Sequence, residues 1–271
     1  MIRTAVIQMV STADVETNLQ TAADLIQHAV ADRAEFIVLP ENFAFMGHDE
    51  HDKVSILESQ GQGPIQDFLQ GQASQHDIWL MGGTIPLQAS VPDKIRAACL
   101  LYNPSGKCIA RYDKMHLFDV TVDSGGDESY NESGTIEAGD KIIVANTPFA
   151  NIGMSVCYDL RFPELYRNMH KYNVNMITIP SAFTATTGKA HWESLIRSRA
   201  IENLGFVIAS NQGGKHINER ETWGHSMIVD PWGKILAIVE EGPGIACADI
   251  DINRLQDLRK TFPVLEHRKL D

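Results

Sequence analysis

Short runs of β-branched and apolar residues alternate with longer stretches of helical periodicity along most of this chain, an order that restricts it to layered α/β folds. Residues 5–9 read as a strand. Residues 14–31 read as a helix, with Leu19, Ala22, Ala23, Ile26, Ala29 and Val30 spaced to share one face. A strand at 36–39, a helix around 65–73 and a strand at 78–85 follow. Residues 97–112 form a pair of strands around the turn Asn103-Pro104-Ser105-Gly106. A strand at 151–156 gives way to a helix that Pro163 would start and that runs to about 172. A strand at 176–179, a helix from about 189 to 203 and a strand at 206–209 come next, then a last pair around 226–229 and 235–239. Hairpins within this order predict mixed rather than purely parallel sheets. No repeat, low-complexity linker or shift in composition divides the 271 residues, 44% of them hydrophobic, so a single domain over 1–271 is expected.

Composition narrows the function classes. A net charge of −12 argues against a nucleic-acid or anionic-membrane surface, which needs clustered Lys and Arg. An acidic small substrate stays open, because one or two well-placed cations suffice for it. No apolar stretch approaches the roughly 20 residues that span a bilayer. Four cysteines without paired close spacing, and a start without a signal-peptide pattern, predict a reducing, cytoplasmic setting. The acidic segment from Asp123 to Glu132 reads as a solvated loop.

Chemistry collects at the strand ends. Glu41 follows Phe36-Ile37-Val38-Leu39-Pro40, Lys114 follows Ile109-Ala110-Arg111-Tyr112-Asp113, and Cys157 follows the strand at 151–156. Ser181-Ala182-Phe183 follows Met176-Ile177-Thr178-Ile179-Pro180. Ligands of α/β sheets bind outside the carboxyl ends of strands, so these positions can face one crevice. Singly each has an ordinary explanation: Glu41 a cap, Lys114 a solvated strand exit, Cys157 a small buried hydrophobe. Cys157 differs from Cys99, Cys108 and Cys247 in lying between a strand and a helix start, where unpaired N–H groups and the helix dipole favour thiolate. A Cys–His dyad with His116, His191 or His225 lacks any spacing that would bring them together, and His48-Asp49-Glu50-His51-Asp52 reads as an exposed loop before it reads as a metal site.

Three ordered segments resemble the nitrilase superfamily of carbon–nitrogen hydrolases, whose signature is a Glu-Lys-Cys set. They are Leu39-Pro40-Glu41-Asn42-Phe43, Tyr112-Asp113-Lys114-Met115-His116-Leu117-Phe118-Asp119, and Val156-Cys157-Tyr158-Asp159-Leu160-Arg161-Phe162-Pro163-Glu164. The resemblance runs from Ala5-Val6-Ile7-Gln8-Met9 to the segment Trp223-Gly224-His225 and beyond, through Asp230-Pro231-Trp232-Gly233. Within the superfamily, Ala182-Phe183-Thr184-Ala185-Thr186-Thr187-Gly188 and Arg161-Phe162-Pro163-Glu164 are similar to the Nit branch of ω-amidases and deaminated glutathione amidases. The resemblance implies a four-layer α-β-β-α sandwich, usually a homodimer, and a second active-site glutamate at Glu132, with Glu128 in the same segment as the other candidate.

It also implies a mechanism. Cys157 would attack an amide carbonyl, Glu41 would carry the proton, and Lys114 with the Tyr158 N–H would stabilise the oxyanion of a thioester pathway; Glu132 would hold Lys114. No metal or organic cofactor is called for. Arg161 would meet a substrate carboxylate or else pair with Asp159 or Glu164, while Phe183 and Thr187 would line the site for a 2-oxo dicarboxylic monoamide or simply pack. The segments Gln212-Gly213-Gly214-Lys215-His216 and Asn218-Glu219-Arg220-Glu221 are more like the deaminated glutathione amidases, which release cysteinylglycine, than the α-ketoglutaramate-specific enzymes. An N-carbamoyl-amine hydrolase and a catalytically silent binding protein are the remaining readings.

Overall fold

The computed structural model describes residues 1–123 and 127–269, without the side chains of 123, 127 and 128. Two six-stranded sheets dominate it. The first runs, across the sheet, β16 (Gly244–Ile250), β1 (Ile2–Gln8), β2 (Phe36–Val38), β3 (Trp79–Gln88), β4 (Ile95–Tyr102) and β5 (Cys108–Asp113). The second runs β15 (Ile235–Val239), β14 (Ser226–Val229), β11 (Phe206–Ala209), β10 (Met176–Thr178), β9 (Asn151–Met154) and β8 (Val144–Asn146). Two hairpins stand apart, β6 (Asp119–Asp123) with β7 (Asp127–Asn131), and β12 (Gly213–Lys215) with β13 (Glu221–Trp223).

Alternation along the strands explains the layering. Val6, Phe36, Val38 and Met81 join Ile152, Met154, Met176 and Val207 in one apolar cluster, whereas their neighbours Ala5, Ile7, Ile37 and Leu39 belong to another. The first cluster fills the space between the sheets and continues onto the outer face of the second sheet, where Val207 and Ile177 lie in register. The second cluster packs the first sheet against α1 (Val15–Ala31) and α2 (Pro64–His76) through Ala22, Ile26, Ala29, Ile65, Leu69 and Ala73. On the far side α4 (Pro163–Met169) and α5 (Ala185–Asn203) cover the second sheet with Leu165, Tyr166, Met169, Trp192 and Ile196. The result is the expected α-β-β-α sandwich. Between β7 and β8 lies a single turn, α3 (Glu132–Thr135), and α6 (Ile252–Thr261) follows β16.

Helix boundaries follow local chemistry. Asp14 caps α1 by accepting the Thr17 N–H at 2.7 Å, Pro64 opens α2 at a position where the missing N–H costs nothing, and Thr184 caps α5. That last cap starts α5 four residues before the expected 189, because the apolar spacing marks only its buried stripe. Likewise β16 and α6 are absent from the sequence reading. The strand alternates partly buried and buried residues on a sheet edge, too weak a pattern to separate from loop. The acidic segment is not a loop at its ends. Val120-Thr121-Val122 pairs with Glu128, Ser129 and Tyr130 across β6 and β7, and Tyr130 packs on Phe118 with ring centroids 4.9 Å apart. Charge masked the β-branched half of that hairpin.

Candidate active site

Strand direction brings the site together. β1, β2 and β3 are parallel, β4 reverses and β5 reverses again, so β2 and β5 end on the same side of the first sheet. Glu41 lies just past β2 and Lys114 just past β5. In the second sheet β9, β10 and β11 are mutually parallel and deliver Cys157, the 181–183 segment and Asn211 to their own common end. These two ends meet.

Lys114 is completely buried. Its Nζ donates to Glu41 Oε1 at 2.9 Å and to Glu132 Oε1 and Oε2 at 2.8 and 2.7 Å. Glu41 Oε2 accepts the Ala182 N–H at 2.8 Å, and Glu132 Oε2 accepts the Phe118 N–H at 2.8 Å. Every charge in this triple has a partner, the condition under which buried ions are tolerated. Burial works against the Lys114 charge, but Glu132 and Glu41 outweigh it and hold the ammonium well above the ordinary lysine range. Burial likewise pushes Glu41 up, yet Lys114 pulls harder and the carboxylate is held below its ordinary range. Glu132 is placed by the hairpin, since the Ser133 N–H donates to Asp119 Oδ1 at 2.9 Å across the β6–β7 register. The side chain of Glu128 lies outside the described residues.

Cys157 sits on a left-handed backbone, φ +47°, at the first residue of a short 3₁₀ segment, Cys157–Arg161. A non-glycine residue adopts that conformation at a cost of about 1–2 kcal/mol. Its N–H bonds to Pro180 O at 2.9 Å, and the fully buried Asp159 accepts the Val156 N–H at 2.8 Å, which fixes the turn. The thiol then lies beside the Glu41 carboxylate and within range of the Lys114 and Glu132 charges. The helix start, which on its own favours thiolate, is outweighed here. Burial, with the negative charges of Glu41 and Glu132, pushes the thiol far up despite Lys114 and the Ala182 N–H. Helix α4 begins only at Pro163, six residues on, and lends the sulfur little.

Around the sulfur is a narrow pocket of about 260 Å³, counted out to solvent, lined by Phe118, Tyr158, Arg161, Phe183, Thr187 and Arg220 among others. Arg161 pairs with neither Asp159 nor Glu164. Asp159 is taken by Tyr112 Oη at 2.7 Å and His116 at 2.7 Å, while Arg161 stands 5.2 Å over the Phe183 ring and 5.8 Å over Tyr158, with Nη1 3.2 Å from His191 Nδ1. Thr187 Oγ1 lies 2.8 Å from Thr184 Oγ1, within the α5 cap. The histidines have other work: His116 stacks on Phe162 and His225 on Trp223. Among the described residues no group of three His, Cys, Asp or Glu could hold a metal. The His48–Asp52 stretch caps a 3₁₀ turn, Asp49 accepting from His51 and Asp52 reaching back to the Asp49 N–H. No helix among the described residues is long and apolar enough to cross a membrane.

Three contributors escaped the sequence reading. The Ala182 and Phe118 N–H groups carry no side-chain signal at all. Arg220 lies in a polar turn, Asn218-Glu219-Arg220-Glu221, that entered the sequence reading only through the resemblance and with no role for this side chain, which is 13% exposed and donates to Ala182 O at 2.7 Å.

A buried Glu-Lys-Glu triple beside an elbow cysteine at the joint ends of two packed sheets is the constellation of a thiol hydrolase. Residues 3–260 match the family model for carbon–nitrogen hydrolase, and the chain belongs to that family. It is 43% identical over 267 residues to a Synechocystis protein named deaminated glutathione amidase, covering 97% of each. Among solved structures it is similar to yeast Nit3, a member of branch 10 of the nitrilase superfamily, with TM-score 0.88 and 30% identity over 99% of this chain and 97% of that one. It is also similar to the Caenorhabditis elegans NitFhit protein, with TM-score 0.89 and 36% identity over 99% of this chain; it spans only 65% of that one.

Proposed function

We propose that this protein is an amidase that cleaves the amide joining a 2-oxoglutaryl group to cysteinylglycine in deaminated glutathione, a reading supported by its Synechocystis relative, which is named deaminated glutathione amidase. The observation that carries the reading is Lys114 held between Glu41 and Glu132 with the Cys157 thiol against Glu41. The resting proton is on sulfur. Glu41 takes it as the carbon–sulfur bond forms, and the charge moves to the carbonyl oxygen beside Lys114 and the Tyr158 N–H, so no isolated buried thiolate has to be made. Glu41 then hands the proton to the amide nitrogen as the carbon–nitrogen bond breaks and the amine leaves. Water, losing a proton to Glu41, attacks the thioester; the carbon–sulfur bond breaks, the acid departs and the thiol regains its proton. Glu132 keeps Lys114 charged and in place throughout. Arg161, Phe183 and Thr187 receive the 2-oxo acid end, the guanidinium pairing with its carboxylate.

The same reading assigns one catalytic domain over 1–271 and a homodimer. Support for pairing is an exposed apolar patch in which Trp232 packs on Phe262 with centroids 5.5 Å apart, near Ile201 at the end of α5. Sedimentation equilibrium tests that part.

Purified protein given deaminated glutathione and α-ketoglutaramate separately, beside Cys157→Ala, tests the activity. Faster release of 2-oxoglutarate from deaminated glutathione supports the reading. Preference for α-ketoglutaramate would make this an ω-amidase, and no Cys157-dependent product from either overturns both.

A further inference from the structure

Next to the narrow pocket at Cys157 opens a wider cleft, about 1530 Å³ counted out to solvent, between the 46–50 segment, β7 and the β12–β13 turn. Arg220 lines both spaces, and among the described residues no other does. Its guanidinium has donors to spare. Nη2 is used by Ala182 O, but Nη1 is 3.9 Å from Glu50 Oε1, too far for a hydrogen bond, and the buried Nε has no partner among the described residues. Glu50 is engaged elsewhere, by Lys53 Nζ at 2.6 Å. The Tyr130 ring, 5.0 Å away, fixes the guanidinium plane. Leaving such donors unmade in a buried position is costly, and a carbonyl or carboxylate oxygen arriving from the cleft removes that cost.

We propose that Arg220 determines specificity for the leaving group: Nε and Nη1 hydrogen-bond the peptide carbonyl and terminal carboxylate of a departing dipeptide, which occupies the wide cleft. Arg161 holds the other end of the substrate, on the α5 side of the sulfur. This deepens the amidase reading and rests on it. A primary amide, whose leaving group is ammonia, places no atom in the cleft, so the two kinds of substrate separate the role from mere support of the Ala182 carbonyl.

The experiment measures kcat/KM for deaminated glutathione and for α-ketoglutaramate on single preparations of wild type and Arg220→Lys, with free cysteinylglycine as a product inhibitor of each. Because both rates come from the same sample, any misfolded fraction cancels in their ratio. The variant is expected to lose about 10- to 100-fold more on deaminated glutathione than on α-ketoglutaramate, the range of one charge-assisted hydrogen bond, and cysteinylglycine to inhibit it correspondingly less well. Equal losses on the two substrates overturn the proposal and leave the amidase reading standing. Wild type inactive on deaminated glutathione overturns the parent reading, and this one with it.

Discussion

From the first sheet the site receives Glu41 and Lys114, buried side chains held by charge; from the second it receives Cys157 and the Ala182 N–H, held by backbone geometry. Each side carries a different kind of stored cost. Removing the cation on the first side strands two carboxylates in a low-dielectric interior, whereas trimming the sulfur on the second strands nothing. Activity and stability should therefore come apart according to which sheet is altered.

Cys157→Ala sets the largest effect on activity. Turnover should fall by roughly four orders of magnitude or more while unfolding free energy moves by no more than about 1 kcal/mol. Amine release and urea titration of one preparation check both. Lys114→Met should be as inactive and, in contrast, lose about 3–5 kcal/mol of stability, because Glu41 and Glu132 then lack their shared counter-ion. Adding Glu41→Gln and Glu132→Gln to it should restore much of the stability and none of the turnover. Recovery of activity in the triple variant would break the distinction between the two sides.

A smaller effect tests how the first side is placed. Gly83 lies at the β3–β4 irregularity, and a Cβ there would come within 1.9 Å of Pro40 O and 2.9 Å of the Glu41 N. Gly83→Ala must push the 40–41 turn outward. The expected cost is about 1–3 kcal/mol, with kcat reduced more than KM is raised, since Glu41 moves and the Arg161 pocket does not. Thermal unfolding and steady-state rates on one preparation measure it. An unchanged kcat would show that Glu41 is positioned by Ala182 and Lys114 alone.

Which of these features could be read in the sequence follows from their physics. Glu41, Lys114 and Cys157 were legible because each follows an apolar run whose periodicity marks a strand, and strand ends converge. Glu132 required the resemblance, since the hairpin that aims it carries an acidic composition that looks like solvent-facing loop. The layers were legible from alternation in central strands, but not β16, an edge strand with a half-exposed face. Arg220 was illegible for a related reason: its burial comes from packing against Tyr130 and Ala182, residues distant in sequence. The local view of Cys157 saw only the helix start that favours thiolate, while burial and the Glu41 charge, both tertiary, push the thiol up.

The smallest predicted effect is in pH, and it too divides by sheet. Glu41 is depressed in the folded protein, so its share of stability is present above the ordinary carboxylate range and lost only as pH falls through its lowered folded value. Lys114 is raised, so its share is complete below the ordinary lysine value and lost only as pH rises through the higher folded one. Between about pH 6 and 9 both shares are constant, so the pair should add no slope to the stability of wild type across that window, whereas the stranded carboxylates of Lys114→Met, pushed up by burial alone, should make its deficit widen as pH climbs. The sulfur behaves otherwise. With its thiol pushed up by burial and by Glu41, alkylation of Cys157 by iodoacetamide without substrate should climb with pH across the same window and reach no plateau. A plateau near neutrality would mean that the resting enzyme already holds a thiolate, with the proton on Glu41 or lost to solvent. It would move the second side of the site into the same category as the first, a buried charge held by Lys114 rather than a neutral group aimed by its backbone.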